Sequence, residues 1–109
     1  MRAPTKLTVL RIMEVETGAT SKSCPHCSAT GKTIYWFIAS DGQVHGAMMG
    51  CLKNAFYHSQ YSTEISKLEK LLKKYPGWKK IECQLEMIYV RIERDYGVNV
   101  REKREIPRR

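Results

Sequence analysis

The tetrapeptide Cys24-Pro25-His26-Cys27 constrains this chain more than any other stretch of its sequence. Two cysteines separated by two residues turn both sulfurs towards the inside of one tight turn, and the proline stiffens that turn. The sequence has no secretory signal and no apolar run long enough to span a bilayer, so we expect a cytoplasmic protein. In a reducing compartment such a pair more often binds a metal or performs redox chemistry than forms a structural disulfide.

A redox interpretation depends on these four residues alone. Cys-Pro-His-Cys resembles the active-site sequence of the DsbA-type thiol oxidants, in which the first cysteine lies at a helix N-terminus that lowers its pKa. Such a site needs a buried strand before the motif and a helix after it. Here residues 18–23 and 28–31 are polar loop sequences, so a thiol oxidoreductase stays a lesser alternative.

The segment after the motif favours zinc. Residues 34–39 are rich in aromatic and β-branched side chains, Asp41-Gly42 favours a hairpin turn, and residues 44–49 form the return strand. Cys51 then begins a short stretch with helical apolar spacing at Leu52, Ala55 and Phe56. We call the Cys24–Cys27 turn the knuckle. The order of a knuckle, a hairpin and a cysteine at a helix start is similar to that in the treble-clef group of zinc fingers. The similarity covers about residues 23–60.

This resemblance implies one structural zinc ion per chain, held by Cys24, Cys27, Cys51 and a fourth ligand. Treble clefs normally take their second ligand pair from another CxxC, but the residue three before Cys51 is Met48, whose thioether is a poor zinc ligand. We predict His45 as the fourth ligand, because glycines at 46 and 50 could bend its strand towards the knuckle. Cys83, which would complete a four-thiolate site, is the alternative.

The charge of the chain predicts a polyanionic partner. Nineteen lysines and arginines against eleven acidic residues leave a net charge of +8, and the excess is larger in the C-terminal half. Such a field attracts nucleic acid. We predict nucleic-acid contacts from eight side chains: Lys67, Lys70, Lys73, Lys74, Lys79, Lys80, Arg101 and Arg104. Core packing is the main expected role of Tyr35, Trp36 and Phe37, although one exposed ring among them would stack on a base.

Other functions stay open. The alternative to nucleic-acid binding is a protein-protein adaptor or inhibitor, for example a regulator of phage or plasmid type that docks on a nucleoprotein machine. Asp41, His45, Asn54 and His58 resemble the residue types of HNH nucleases, but the spacings between them are shorter than in that family. No carboxylate pair and no Ser/His/Asp arrangement emerges, so we expect no catalytic activity.

The remaining chain predicts an α+β fold, with a small antiparallel sheet carrying the zinc knuckle and hairpin, and two or three helices. The pattern of residues 6–15 indicates a strand, and the spacing from Ile65 to Leu72 predicts an amphipathic helix that ends before Pro76-Gly77. Residues 78–96 are ambiguous, because apolar alternation at 81–87 favours a strand while 3-4 spacing favours a helix; we favour a strand, followed by a hairpin into 98–101. One domain over residues 1–100 would then precede a basic tail at 101–109.

Overall fold

The structure, a computed structural model, describes residues 6–27, 29–102 and 104–107. Its elements in chain order are β1 (Leu7–Ser23), β2 (Thr30–Ala39), β3 (Val44–Ala47), α1 (Met49–Ala55), β4 (Phe56–His58), α2 (Gln60–Lys74) and α3 (Lys79–Tyr96). Four strands with three helices confirm the predicted α+β class. Within these described ranges, no helix is both long and apolar enough to cross a membrane.

The sheet has the strand order β3-β2-β1-β4 and is mixed. Strands β1 and β2 form a long antiparallel hairpin, and β3 extends it antiparallel to β2. Strand β4 runs parallel to β1, with Phe56 opposite Leu7 and His58 opposite Val9. The helix predicted from Leu52 onwards begins three residues earlier, at Met49, and stops at Ala55. The next residue, Phe56, already belongs to β4 and packs its ring edge-to-face on Phe37, 4.9 Å between centroids.

Two hydrophobic cores lie on opposite faces of the sheet, because successive residues of a strand point to opposite sides. Val9 and Phe37 face α1 and pack against Leu52 and Phe56. Their chain neighbours face α2 and α3, in a core that contains Leu10, Met13, Ile38, Ile65, Leu68, Ile81, Leu85, Ile88, Ile92, Val98 and Val100. The α1 side is the smaller core, and it is the side that carries the cysteine motif.

The strand favoured for residues 78–96 is wrong: residues 79–96 form the 18-residue helix α3. Ile81, Leu85, Ile88 and Ile92 are all buried, which is the helical 3-4 spacing. Met87 shared the apolar alternation that favoured a strand, but its side chain is 57% exposed. The apolar alternation at residues 81–87 therefore does not reflect a strand. Packing against α2 and the sheet buries only the apolar residues at helical spacing.

The second hairpin predicted into residues 98–101 is also wrong. Helix α3 ends at Gly97, whose φ of 69° is the left-handed conformation that favours glycine at a helix C-terminus. The chain then runs extended, with Val98 and Val100 buried, but it forms no strand. The carbonyls of Val100 and Arg101 instead accept hydrogen bonds from the guanidinium of Arg11 on β1.

Helix α2 has the predicted amphipathic character and starts at Gln60, five residues before the predicted spacing begins at Ile65. Ser59 is its N-cap: the Ser59 hydroxyl accepts a hydrogen bond from the Ser62 N–H at 3.3 Å and donates one to the Val9 carbonyl at 2.6 Å. One serine thus attaches the helix start to strand β1 of the sheet. The helix ends at Lys74, before Pro76-Gly77 as predicted.

Gly46 allows Trp36 to lie flat on its neighbouring strand. A Cβ at residue 46 would lie 2.5 Å from the Trp36 ring. We therefore expect Gly46→Ala to lower the free energy of unfolding by about 1–3 kcal/mol, the usual cost of overpacking a core. Gly50→Ala is the matched control in α1, where a Cβ meets nothing within 4 Å, and it should stabilise by roughly 0.5–1 kcal/mol. Urea unfolding distinguishes the two, and equal effects would contradict this account.

Candidate functional site

The topology of the sheet brings three of the four cysteines together. Cys24 and Cys27 lie in the turn between β1 and β2, which the Cys24 N–H closes with a hydrogen bond to the Ala29 carbonyl at 2.8 Å. Strand β3 runs antiparallel to β2, so its end at Ala47 returns to the end of the sheet that carries this turn. Helix α1 starts there, and Cys51 is in its first turn.

The sulfurs of Cys24, Cys27 and Cys51 all lie within 4.8 Å of one another. The Sγ atoms are 3.8 Å apart between Cys24 and Cys51, and 3.1 Å apart between Cys51 and Cys27. A tetrahedral zinc ion with Zn–S bonds of about 2.3 Å separates two sulfurs by about 3.8 Å. Both distances are too long for a disulfide bond. The Cys24–Cys51 distance matches that of two thiolates on one zinc ion, whereas the Cys51–Cys27 distance is shorter. The three sulfurs could therefore share one metal ion once Cys27 and Cys51 move slightly apart. No family model, curated protein or solved structure matches this chain.

Hydrogen bonds distribute the protons unevenly within this cluster. Burial acts to raise the pKa of Cys24, but hydrogen bonds from the backbone N–H groups of Met48, His26 and Cys27 outweigh burial and lower that pKa to about 7. The hydrogen bond to Cys27, followed by burial and the neighbouring Cys24, raises the pKa of Cys51 to about 12. A cation at the cluster must therefore displace a proton from Cys51.

We expect metal affinity to rise steeply with pH. Above about pH 7 zinc binding must release the proton of Cys51, so the affinity should rise at least about tenfold per pH unit. Below about pH 7 Cys24 also takes up a proton, so the dependence becomes steeper there. Competition with a chelating dye of known proton affinity, between about pH 6 and pH 8, measures this slope. A pH-independent affinity would show that the thiols are not the ligands.

The predicted fourth ligands are elsewhere in the structure. His45 Nε2 lies 2.9 Å from a carboxylate oxygen of Asp41, and its ring stacks on Phe37. Cys83 is exposed on α3. The described residues include every histidine, cysteine, aspartate and glutamate of the sequence, and none of them adds a fourth atom to the three sulfurs. Cys27 is exposed, so the cluster is open to solvent on that side.

Some of the predicted lysines line one groove. Lys67, Lys70 and Lys74 occur at helical spacing on α2 and line a groove of about 590 Å³ together with His58 of the edge strand β4. Ile12 and Leu71 also line it. We call this the basic groove. Its lining combines an apolar surface with three exposed cationic side chains, a combination that suits the backbone of a polyanion.

The other predicted basic residues lie outside this groove. Lys73 is on α2 but does not line it, and Lys79 lies 3.8 Å from Glu82 at the start of α3, next to Lys80. Arg101 forms an ion pair with Glu86. Arg104 donates hydrogen bonds to the carbonyls of Gly42 and Asn99. The arginines of this segment thus connect it to the domain, whereas Lys103, Arg108 and Arg109 of the predicted tail are outside the described residues.

The exposed aromatic rings are not those at residues 35–37. Trp36 and Phe37 are buried, as core packing predicts, and the Trp36 indole N–H donates to Glu16 at 2.9 Å. Tyr57 of β4 is 55% exposed, and Tyr96 at the end of α3 is 39% exposed. The sequence had suggested neither as a contact residue. The exposure of Tyr57 could not be predicted, because a three-residue edge strand leaves no periodic pattern.

Proposed function

We propose that the protein is a zinc-binding, nucleic-acid-binding module. The observation that carries the metal part is the meeting of three soft sulfur donors from the hairpin turn and from α1, all within 4.8 Å of one another. The order of knuckle, hairpin and helix supports a site like that of the treble-clef group. Bound zinc would attach the long β1–β2 hairpin to α1.

We propose further that the fourth coordination position is taken by water or by a donor from outside the chain. The exposure of Cys27 supports this, as does the engagement of His45 with Asp41. His45→Ala and Cys83→Ser should therefore each retain zinc when the purified variants are analysed for metal. Loss of zinc from either variant would identify that side chain as the fourth ligand.

The nucleic-acid part of the proposal is supported by the convergence of Lys67, Lys70 and Lys74 in the basic groove. Three lysines on one helix face can contact neighbouring phosphates, and each contact releases counterions. Of the eight basic side chains that the sequence predicts to contact nucleic acid, these three share one surface and are the contacts that we propose.

Changing Lys67, Lys70 and Lys74 to glutamine should weaken oligonucleotide binding at least tenfold. It should also reduce the slope of log K against log salt concentration by about 2 to 3, roughly one unit for each lysine that no longer neutralises a phosphate. Fluorescence anisotropy across a salt series measures both quantities. Zinc content should stay unchanged, because these lysines are exposed and distant in sequence from the cysteines.

The matched control removes the same three charges from Lys73, Lys79 and Lys80, which do not line the basic groove. This variant should keep most of the affinity. An equal loss in both triple variants would mean that net charge alone attracts the oligonucleotide and that the groove has no special role.

The adaptor function has one observation in its favour. Cys83, Met87 and Val90 form an exposed stripe on the outer side of α3, at spacings of four and three residues. If the intact protein binds no oligonucleotide at low salt, this stripe becomes the best candidate surface, and Met87→Glu is the variant with which to probe a protein partner.

A further inference from the structure

The basic groove adjoins a second pocket that is rich in tyrosine. The pocket is lined by Tyr57, Tyr61 and Tyr96, together with Arg91 and Gln60. His58 lines both it and the basic groove. We call this second site the tyrosine pocket. The two sites therefore meet at the edge strand β4, so one ligand can occupy both.

The rings of the tyrosine pocket differ in their freedom. Tyr61 is held in place: its hydroxyl donates to Asp95 at 2.9 Å, and its ring meets Tyr96 edge-to-face at 6.3 Å between centroids. Tyr57 is 55% exposed, and the Nζ atom of Lys6 lies 5.4 Å from its ring centroid. Tyr57 and Tyr96 therefore keep ring surface available for another flat group.

The charges around the tyrosine pocket are mixed. Lys6 and Arg91 are cationic, and Glu64 also lines the pocket. The negative charge of Asp95 is compensated by Arg94, whose Nε lies 3.1 Å from the Asp95 carboxylate. The same carboxylate accepts the hydrogen bond from the Tyr61 hydroxyl. Phosphates are therefore better accommodated in the basic groove than here. The tyrosine pocket offers ring faces and hydrogen-bonding groups, which suit bases.

We infer that the ligand is single-stranded nucleic acid, whose phosphates follow Lys67, Lys70 and Lys74 while its bases stack in the tyrosine pocket. This inference rests on the proposed function and specifies its ligand. A positive groove beside aromatic platforms is the usual construction of single-strand binding sites. In a duplex the bases are stacked on one another, so a duplex would engage the lysines but leave the tyrosines unused.

The test compares three labelled oligonucleotides of about 15 nucleotides, a length within the usual range of such sites: an oligo-dT strand, an oligo-U strand and a DNA duplex. Fluorescence anisotropy of the zinc-loaded protein should show either single strand binding at least tenfold more tightly than the duplex. The ratio between oligo-dT and oligo-U distinguishes DNA from RNA as the preferred source.

Substitution of the tyrosines tests the pocket itself. Tyr57→Ala combined with Tyr96→Ala should weaken single-strand binding about thirtyfold or more and leave duplex binding unchanged, because the variant loses two stacking platforms. Tyr57→Phe, which keeps the ring, should retain the affinity. Trp78→Ala is the matched control, because Trp78 is 42% exposed and lines neither site.

The outcomes separate the two levels of the proposal. Equal affinity for strand and duplex, or unchanged single-strand affinity in the tyrosine variant, overturns the single-strand inference. If the lysine variant still loses affinity in that case, the proposed nucleic-acid function survives. If no oligonucleotide binds at low salt, both are overturned.

Discussion

Cys51→Ser should release the bound zinc and remove the stabilisation that zinc provides. A serine hydroxyl stays protonated at neutral pH and is a hard donor, so the cluster would keep only two soft ligands. When zinc exceeds its dissociation constant about a thousandfold, the stability contributed by binding is about 4 kcal/mol. Thermal unfolding with and without added zinc should show this increment in the wild-type protein and not in the variant.

Cys83→Ser is the matched control for this experiment. It makes the same chemical change at an exposed cysteine on α3, away from the cluster. Its zinc response should equal that of the wild-type protein, and Cys24→Ser should behave like Cys51→Ser. A zinc response that survives in Cys51→Ser would contradict the three-thiolate site.

Arg11→Met should lower the free energy of unfolding by about 3 kcal/mol. Arg11 is 5% exposed and joins three parts of the fold. Its guanidinium forms an ion pair with Glu69 of α2 at 3.0 Å, donates to the carbonyls of Val100 and Arg101, and lies 5.4 Å from the ring centroid of Tyr89 on α3. Methionine fills similar space but leaves both carbonyls and the carboxylate without this donor.

Urea unfolding measures the loss, and the melting temperature should fall by roughly 15 °C. The value lies at the lower end of the range for breaking a buried ion pair, because the Glu69 side chain keeps partial contact with water. The double variant Arg11→Met/Glu69→Leu should be more stable than the sum of the single effects predicts. Lys22→Met breaks the exposed pair with Glu16 and should change stability by less than about 1 kcal/mol. A similar small change in Arg11→Met would contradict the role given to Arg11.

The parts of the fold that could be predicted from sequence are those with a local cause. Cys24 and Cys27 share a turn because of their spacing, and the apolar residues of α2 have the helical period. Cys51 was predicted to join the pair because the order of knuckle, hairpin and cysteine at a helix start resembles the treble-clef group. The same logic did not extend to His45, because its Nε2 instead lies within hydrogen-bonding distance of the nearby Asp41.

The parts that could not be predicted depend on tertiary contacts. Residues 81–87 satisfy the strand and helix periods together, and only the packing of Ile81 and Leu85 in the core decides between them. Strand β4 is three residues long and exists because β1 has a free edge. A single arginine in a strand carries no pattern, so the burial of Arg11 and its distant partners leave no trace in the sequence around it.

The central claim is that the chain binds one zinc ion through Cys24, Cys27 and Cys51. Native mass spectrometry of the protein purified without chelators tests this most directly, with the Cys51→Ser variant measured alongside. We predict a mass increase of one zinc per wild-type chain and a metal-free variant. A wild-type chain that is metal-free, takes up no added zinc and unfolds at the same temperature with or without chelator would contradict the claim.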